Sequence, residues 1–492
     1  MNEISQDELY DRLVAHGLFS RNLPPIFDGS SFLEYCKNKK YGFECKEYKY
    51  AVCYMTRNIN IPRAIGIPTP MSFERLCRIL CNNWYEIKKH FEVCTAFNNY
   101  RISRIHLKKS SGTMSLFDMN YDAHDDSPEL DLAIGKRYIV RTDISQCFPS
   151  TYSHAIPWAL VGKSTSKSNR SEKLWYNHID KMIRLSTCGE THGILIGPHT
   201  SNLISEIILC KIDEALSRDW DYVRYIDDYE YYAKTEDDAK QFILQLNSAL
   251  HEYGFLLNSK KTTIEKLPTI ETKNWKAEIK ILLANIENEK GIVSYDGVNY
   301  FIEKCIELMK TNNDNASVIV YGVKSLSSKT LSPSAQNYII KRSISLAILY
   351  PYLASFLDDM ILGYYSIDGD LLQKYLEQLY GEYISENNYS AASYIIQLSL
   401  KYNVILSIFD VDEVISKRDC VLLLCGLLYS KRYNLSRSVK KLKAAARDLQ
   451  NQDCMEEYWP FVYECLPATD LNKDWKNLKN NKISFIKSAY RI

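Results

Sequence analysis

The chain has 492 residues, more than a single hydrophobic core usually serves, so more than one domain is expected. Its 46% hydrophobic and 25% charged residues are those of a globular protein with a full core. A net charge of +1 excludes a strong positive field over the whole surface, while leaving room for a local basic groove. The 14 cysteines lack Cys-x-x-Cys spacing and have no histidine cluster nearby, which argues against zinc. The polar, acidic amino end is not a signal peptide, and the apolar runs 344–357 and 421–428 are too short or interrupted to span a bilayer. A cytoplasmic protein with free thiols and no membrane partner is expected.

In chain order, Asp7–Phe19 predicts a helix ended by Pro24 and Pro25, and Ser31–Asn38 a second one. The stretch Ile59–Pro70 holds three prolines and a glycine and reads as a loop containing Arg63. Ser72–Cys94 reads as one amphipathic helix, with Phe73, Leu76, Ile79 and Leu80 in a stripe and Ser72 as its cap. Arg101–Lys109 is basic, either a solvated face or a phosphate-binding segment, and Gly112–Leu132 reads as a surface excursion. Lys136–Thr142 is a strand pattern ending in Asp143, with a helix at Thr151–Leu160 after it. Gly162–Lys173 reads as a basic loop carrying Lys163, Lys167, Arg170 and Lys173, and Leu174–Leu185 as a helix. A glycine-bounded turn, Gly193–Ser201, feeds the helix Asn202–Ser217, whose Leu203, Ile207 and Cys210 share a stripe.

Val223–Tyr232 has the period-2 pattern of two short strands, with Asp227 and Asp228 where a tight hairpin would turn. A helix at Glu236–Tyr253 follows, with Gly254 at its C-cap, then a strand-turn Phe255–Ile264. Near residue 270 the texture changes. Successive helix-length segments fill the rest, among them Tyr300–Lys310, Ala335–Leu349, Leu371–Tyr380, Ala391–Tyr402, Cys420–Ser430 and Ser436–Gln450. The expected fold class is α/β plus all-α, with an α/β domain at 1–275 and an all-helical domain at 276–492. Stacked helix pairs in an irregular solenoid, or a compact bundle, would suit the second part.

Taken singly, Asp143 reads as a helix cap, Phe148 as core and Lys261 as a solvated lysine. Their order gives them weight: strand-end Asp143 with Phe148 five residues on, the Gly197 turn opening a helix, Asp227-Asp228, and Asn258-x-x-Lys261-Thr262. Strand-end carboxylates from separate strands can hold two divalent ions, one activating an attacking hydroxyl and the other steadying a leaving pyrophosphate. Phosphoryl transfer asks little more of a protein than positioning and charge. Phe148 would lie under a sugar ring and clash with a 2′-hydroxyl. Lys261 would supply charge or a proton near the phosphates.

This order resembles motifs A, B, C and D of reverse transcriptases, with Tyr225-Ile226-Asp227-Asp228 as the Tyr-x-Asp-Asp signature. His154-Ala155-Ile156-Pro157-Trp158-Ala159, Gly162-Lys163, Ser166-Lys167 and Thr191-His192-Gly193-Ile194 resemble the bacterial abortive-infection (Abi) reverse transcriptases of the AbiK-like group. The motif match covers roughly Tyr138–Ile264. The resemblance implies a reverse-transcriptase-like fingers and palm domain followed by a helical, HEAT-like repeat domain. It implies catalytic, metal-binding Asp143, Asp227 and Asp228, with Lys261 assisting, and substrate contacts from Phe148, Gly197, Ile144 and Tyr225. The cofactor implied is Mg²⁺, with Mn²⁺ as an alternative. The activity implied is template-independent, protein-primed polymerisation of dNTPs by a homo-oligomer, giving single-stranded DNA attached to the protein, in defence against phage. Tyr10, on a terminal helix away from the palm core, is the first candidate for the priming tyrosine, with Tyr35 behind it. Where reverse transcriptases usually carry Pro-Gln-Gly, this chain has Leu195-Ile196-Gly197, which removes an amide near the nascent base pair.

Two other readings compete. One is an RNA-templated reverse transcriptase of a retroelement, disfavoured by Ile196, the near-neutral charge and the lack of a recognisable endonuclease or RNase H segment. The other is a binding protein with an inactive polymerase fold, disfavoured by the complete aspartate set.

Overall fold

The computed structural model describes residues 4–39, 42–58, 61–94, 106–107, 117–118, 128–269, 275–287 and 290–491. Two antiparallel strands come first, β1 (Tyr50–Met55) and β2 (Arg63–Pro68), with Met55 opposite Arg63 and Tyr50 opposite Pro68. Ala51, Cys53 and Met55 alternate inward, the period-2 burial of a half-covered strand. The expected loop at Ile59–Pro70 is therefore corrected from Arg63 onward. Its prolines flank or end the strand, where no ladder donor is lost, and Arg63–Ile67 between them is free to pair. The single helix expected at Ser72–Cys94 is also corrected. Pro70–Asn82 and Trp84–Cys94 are separate helices, the first starting after Thr69 and ending at Asn83, whose Nδ2 donates to the Ile79 carbonyl. Ser72 is not the cap; its hydroxyl donates to the Thr69 carbonyl inside the first turn. The basic stretch at 101–109 lies outside the described residues apart from a two-residue strand, His106–Leu107, paired with Phe117–Asp118.

Four strands form the central sheet in the order β4–β5–β3–β6, all antiparallel: β3 (Tyr138–Asp143), β4 (Tyr222–Tyr225), β5 (Asp228–Ala233) and β6 (Thr263–Lys266). β-branched and aromatic residues predominate in them, as a pleated, half-buried surface favours. Helices His199–Leu216 and Glu236–Glu252 cover one face. The latter starts with a reciprocal capping box between Thr235 and Asp238 and stacks Phe242 on Tyr231 at 4.4 Å between ring centroids. The basic segment expected to be a loop contains a short helix, Lys163–Ser168.

From Trp275 onward helices dominate, most of them packed on the next or the next but one in the chain, with a two-residue parallel pair (Ile292–Val293 with Thr330–Leu331) among them. The six helical segments expected there fall inside Tyr295–Thr311, Pro333–Leu349, Gly369–Ser385, Tyr389–Tyr402, Cys420–Arg432 and Ser436–Asn451. The end of the chain returns to its beginning. Asp28 N–H donates to the Phe485 carbonyl, Lys487 N–H donates to the Ile26 carbonyl, and Phe19, Phe27, Trp459 and Phe485 share one aromatic cluster. Among the described residues, buried side chains from Leu9 to Ile486 accordingly form one large core, beside a small separate cluster of Leu132, Ile139, Val223 and Tyr232. Among the described residues no helix is long and apolar enough to cross a membrane.

Candidate active site

Strand pairing assembles the site. Asp143 ends β3 and lies directly opposite Asp228, the first residue of β5, while Asp227 occupies the turn between β4 and β5. Opposed residues in an antiparallel pair project from the same face, about 4.5–5.5 Å apart at Cβ. The end of β3 is clamped on both sides. Ile144 N–H donates to the Asp227 carbonyl at 3.1 Å, Ser145 N–H to the Leu256 carbonyl at 2.8 Å, and Asn258 N–H to the Asp143 carbonyl at 2.9 Å. The Ile144 side chain is buried, and its backbone N–H helps hold the end of β3. The Asn258 turn places Lys261, whose Nζ donates to Asp143 Oδ2 at 2.5 Å. That hydrogen bond raises the lysine's pKa above its ordinary value.

Asp143 is 6% exposed, and its Oδ1 is buried with no hydrogen-bond partner. Burial, then the charges of Asp228 and Asp143, push the Asp227 carboxyl up to about 6, while Lys261 opposes the shift. Hard oxygen donors, one of them orphaned, in a field that penalises a further negative charge fit a divalent cation. Among the described residues no three His, Cys, Asp or Glu side chains are already gathered as an ion cage.

The turn carrying Asp227 is held from behind by residues that the sequence pattern alone did not reveal. Ile226 sits at φ 56°, a costly conformation for a β-branched residue. Its carbonyl accepts from Arg224 Nη1 at 2.8 Å. Arg224 is fully buried and forks onto two carboxylates of the helix His199–Leu216: Nη2 lies 2.6 Å from Asp213 Oδ2 and 2.9 Å from Glu206 Oε1. Tyr222 Oη donates to Asp213 Oδ1 at 2.6 Å, adding to the network. Alternation sets Arg224 on the strand face opposite Val223 and Tyr225, and nothing in the local pattern marks it as buried. Glu206 and Asp213, seven apart on an otherwise apolar helix, were the available signal.

Phe148 is half-buried on a short helical turn, Cys147–Ser150, entered through Gln146 at φ 48°. Its carbonyl accepts from Ile194 N–H at 3.0 Å, tying it to the segment before the glycine turn. Gly197 has φ 130°, and a Cβ there would come within 2.8 Å of Ile65 Cγ2 and 3.1 Å of the Gly66 carbonyl. Gly66 N–H in turn donates to the Ile196 carbonyl at 2.9 Å, so β2 packs on this turn. Tyr225 is half-buried and packs beside Val223 and Tyr232.

At the start of β2 stands a polar cavity of about 570 Å³, bounded by Arg21, Arg57, Arg63, Tyr352, Ser390 and Tyr394 among others. None of the three arginines makes an ion pair among the described residues. Burial, then neighbouring Arg63, lowers the pKa of Arg57, as expected of a guanidinium that lacks an anion. Only Arg63 had been singled out in the sequence.

Among the described residues no hydrogen bond or ion pair joins Tyr10 to the three aspartates. Its hydroxyl donates to Glu74 Oε1 at 2.7 Å and accepts from Arg78 Nη2 at 2.8 Å. Burial and then Glu74 push the phenol pKa far above its ordinary value. The adjoining cavity of about 580 Å³ is lined by neither Asp143, Asp227 nor Asp228.

No curated protein matches the chain. Among solved structures, telomerase from Candida albicans with a TWJ fragment of telomeric RNA is 12% identical, with 77% of this chain and 66% of that chain covered and a TM-score of 0.31. The chain thus spans just under two thirds of that relative's length. Apo telomerase from Candida tropicalis is 10% identical, with 88% and 71% covered and a TM-score of 0.33. The family model described as reverse transcriptase (RNA-dependent DNA polymerase) matches residues 80–287, the segment that carries the three aspartates, Phe148, the Gly197 turn and Lys261, which is therefore a reverse-transcriptase-like domain.

Proposed function

We propose that the chain polymerises dNTPs without copying a template, starting from one of its own tyrosines, and that it serves in abortive-infection defence against phage. The observation that carries the catalytic part is the opposition of Asp143 and Asp228 across β3 and β5, with Asp227 on the adjoining turn, inside a segment that matches the reverse transcriptase family. Asp143, Asp227 and Asp228 would hold the metal, Mg²⁺ or Mn²⁺. When bound, such ions acidify an attacking hydroxyl and neutralise a leaving pyrophosphate.

The remaining roles belong to the chain. Lys261 keeps Asp143 in place and adds positive charge beside the phosphates. Phe148 excludes the 2′-hydroxyl of ribonucleotides by bulk. Arg57 and Arg63, on the hairpin whose second strand packs on the Gly197 turn, offer unpaired guanidiniums to a triphosphate. Gly197 lets β2 approach that turn. Ile196 in the place of the usual glutamine leaves the nascent base without an amide partner, which supports template independence.

Protein priming, the homo-oligomer, the DNA-attached product and the phage role rest on the resemblance to the Abi group. So do the division at about residue 275 and the HEAT-like character of 276–492, to which the succession of packed helices lends support. For Tyr10 to prime, its bonds to Glu74 and Arg78 must break. The description of the matched family favours a second reading, RNA-templated synthesis. Incubating the protein with labelled dNTPs, with and without an RNA template and primer, separates the two on a denaturing gel. Extension without nucleic acid, with a nucleotide adduct on one tyrosine by mass spectrometry, is the expected result. Extension only with template and primer would return the templated reading.

A further inference from the structure

Immediately after Phe148 the chain builds an aromatic and cationic surface that the proposed chemistry does not use. The Tyr152 ring lies 4.7 Å from that of His192, 5.0 Å from His154 and 5.5 Å from Trp158, between centroids. Lys163 Nζ stands 4.5 Å and Lys167 Nζ 5.9 Å from the Trp158 ring centre. His192 is exposed, and Tyr152, His154 and Trp158 are half-exposed. His154 is fixed from beneath, its Nδ1–H donating to Asp180 Oδ2 at 2.8 Å with Asp180 only 5% exposed.

Charge reinforces the pattern. Lys163, Lys167, Arg170 and Lys173 have no carboxylate partner among the described residues. Glu172, the acid in their midst, is held by Lys181 at 2.6 Å and Arg184 at 3.5 Å. On a chain of net charge +1, such a run of uncompensated cations is a local field.

The surface is continuous with the site. Ser153 N–H donates to the Thr191 carbonyl at 2.8 Å, Gly193 N–H to the Thr151 carbonyl at 2.9 Å and Ile194 N–H to the Phe148 carbonyl at 3.0 Å. The segment bearing His192 is thereby zipped to the one running from Phe148 to His154.

Stacking faces beside unpaired cations are what single-stranded nucleic acid requires. Every base has a face to stack, and the backbone supplies the anions. We infer that Tyr152, His154, Trp158, Lys163, Lys167 and His192 form a seat for single-stranded DNA, the product strand leaving the site. A base stacking on Trp158 would displace Lys163 from the ring toward a phosphate. The inference rests on the polymerase reading for the source of the strand but not for the binding itself.

The test is fluorescence-anisotropy titration of the full chain with labelled oligo(dT) of roughly 12 nucleotides, within the range of known single-strand sites, at several salt concentrations. Lys163→Gln/Lys167→Gln should lower the magnitude of the slope of log K against log salt by about 1.4, the value for two lost phosphate contacts on a single strand. Trp158→Ala should weaken binding by about tenfold, and Trp158→Leu serves if the alanine variant misfolds. Lys476→Gln, an exposed lysine elsewhere, should change neither. Wild-type affinity and slope in the double-lysine variant would overturn the seat, as would tighter binding of oligo(rU) than of oligo(dT). Wild-type incorporation of dNTPs is measured alongside. Its absence with oligo(dT) binding intact would strike the polymerase reading and leave the seat standing.

Discussion

Replacing Arg224 by Met removes the cation that two buried carboxylates share, while keeping much of the side chain's volume. Asp213 is 0% and Glu206 3% exposed, so neither can recover water when the guanidinium goes. Breaking a buried ion pair from one side costs about 3–5 kcal/mol, a large part of the 5–15 kcal/mol by which domains are stable. Arg224→Met also frees the Ile226 carbonyl, leaving a strained turn with less to hold it, at a site where Asp227 must keep its place. Urea unfolding should show the stability loss, and single-nucleotide incorporation a lowered kcat. The triple variant Arg224→Met/Glu206→Gln/Asp213→Asn separates the two effects. With the charges gone most stability should return, but kcat should stay low because the bond to Ile226 is still missing. An Arg224→Met protein within about 1 kcal/mol of wild type would refute the network's structural role. Full activity in the triple variant would refute its hold on the turn.

Phe148→Ala should narrow the preference for dNTPs over rNTPs by at least about tenfold in the ratio of kcat/KM values, and an unchanged ratio would remove Phe148 from the gate. Gly197→Ala should cost at least about 2 kcal/mol in urea unfolding and raise KM for dNTPs, since its Cβ would push β2 off the turn. Burial holds the His199 imidazole at about 4, against 6.5 when unfolded, so between these pH values the unfolded chain binds the extra proton. Stability should fall as pH drops from about 6.5 to 4, by up to about 3 kcal/mol from this group, and His199→Gln should flatten that part of the profile relative to wild type.

The hairpin with its two aspartates, the strand ending in Asp143 and the long helices were legible because period and turn chemistry are local signals. β1 and β2 were missed because their pairing is decided across a loop, and three prolines disguised a strand whose ladder they do not interrupt. Asn83 ended a helix that hydrophobic period alone would have continued through Trp84 and Ile87, both buried in the next helix. Lys163–Ser168 is polar enough to read as a loop, yet it is helical with Ser166 packed inward. Arg224 shows the deeper limit. Its burial depends on two acids that come from another element, and no window around Tyr225 contains them.

The central claim is that Asp143 and Asp227 carry the chemistry of nucleotide transfer. Its most direct test is the rate of dNTP incorporation by Asp143→Asn and Asp227→Asn against wild type, with circular dichroism and Tm recorded on the same samples. Losing one ligand carboxylate removes several kcal/mol of transition-state stabilisation, so both rates should fall by about a thousandfold or more in proteins that remain folded. Either variant, folded and incorporating at the wild-type rate, would contradict the account.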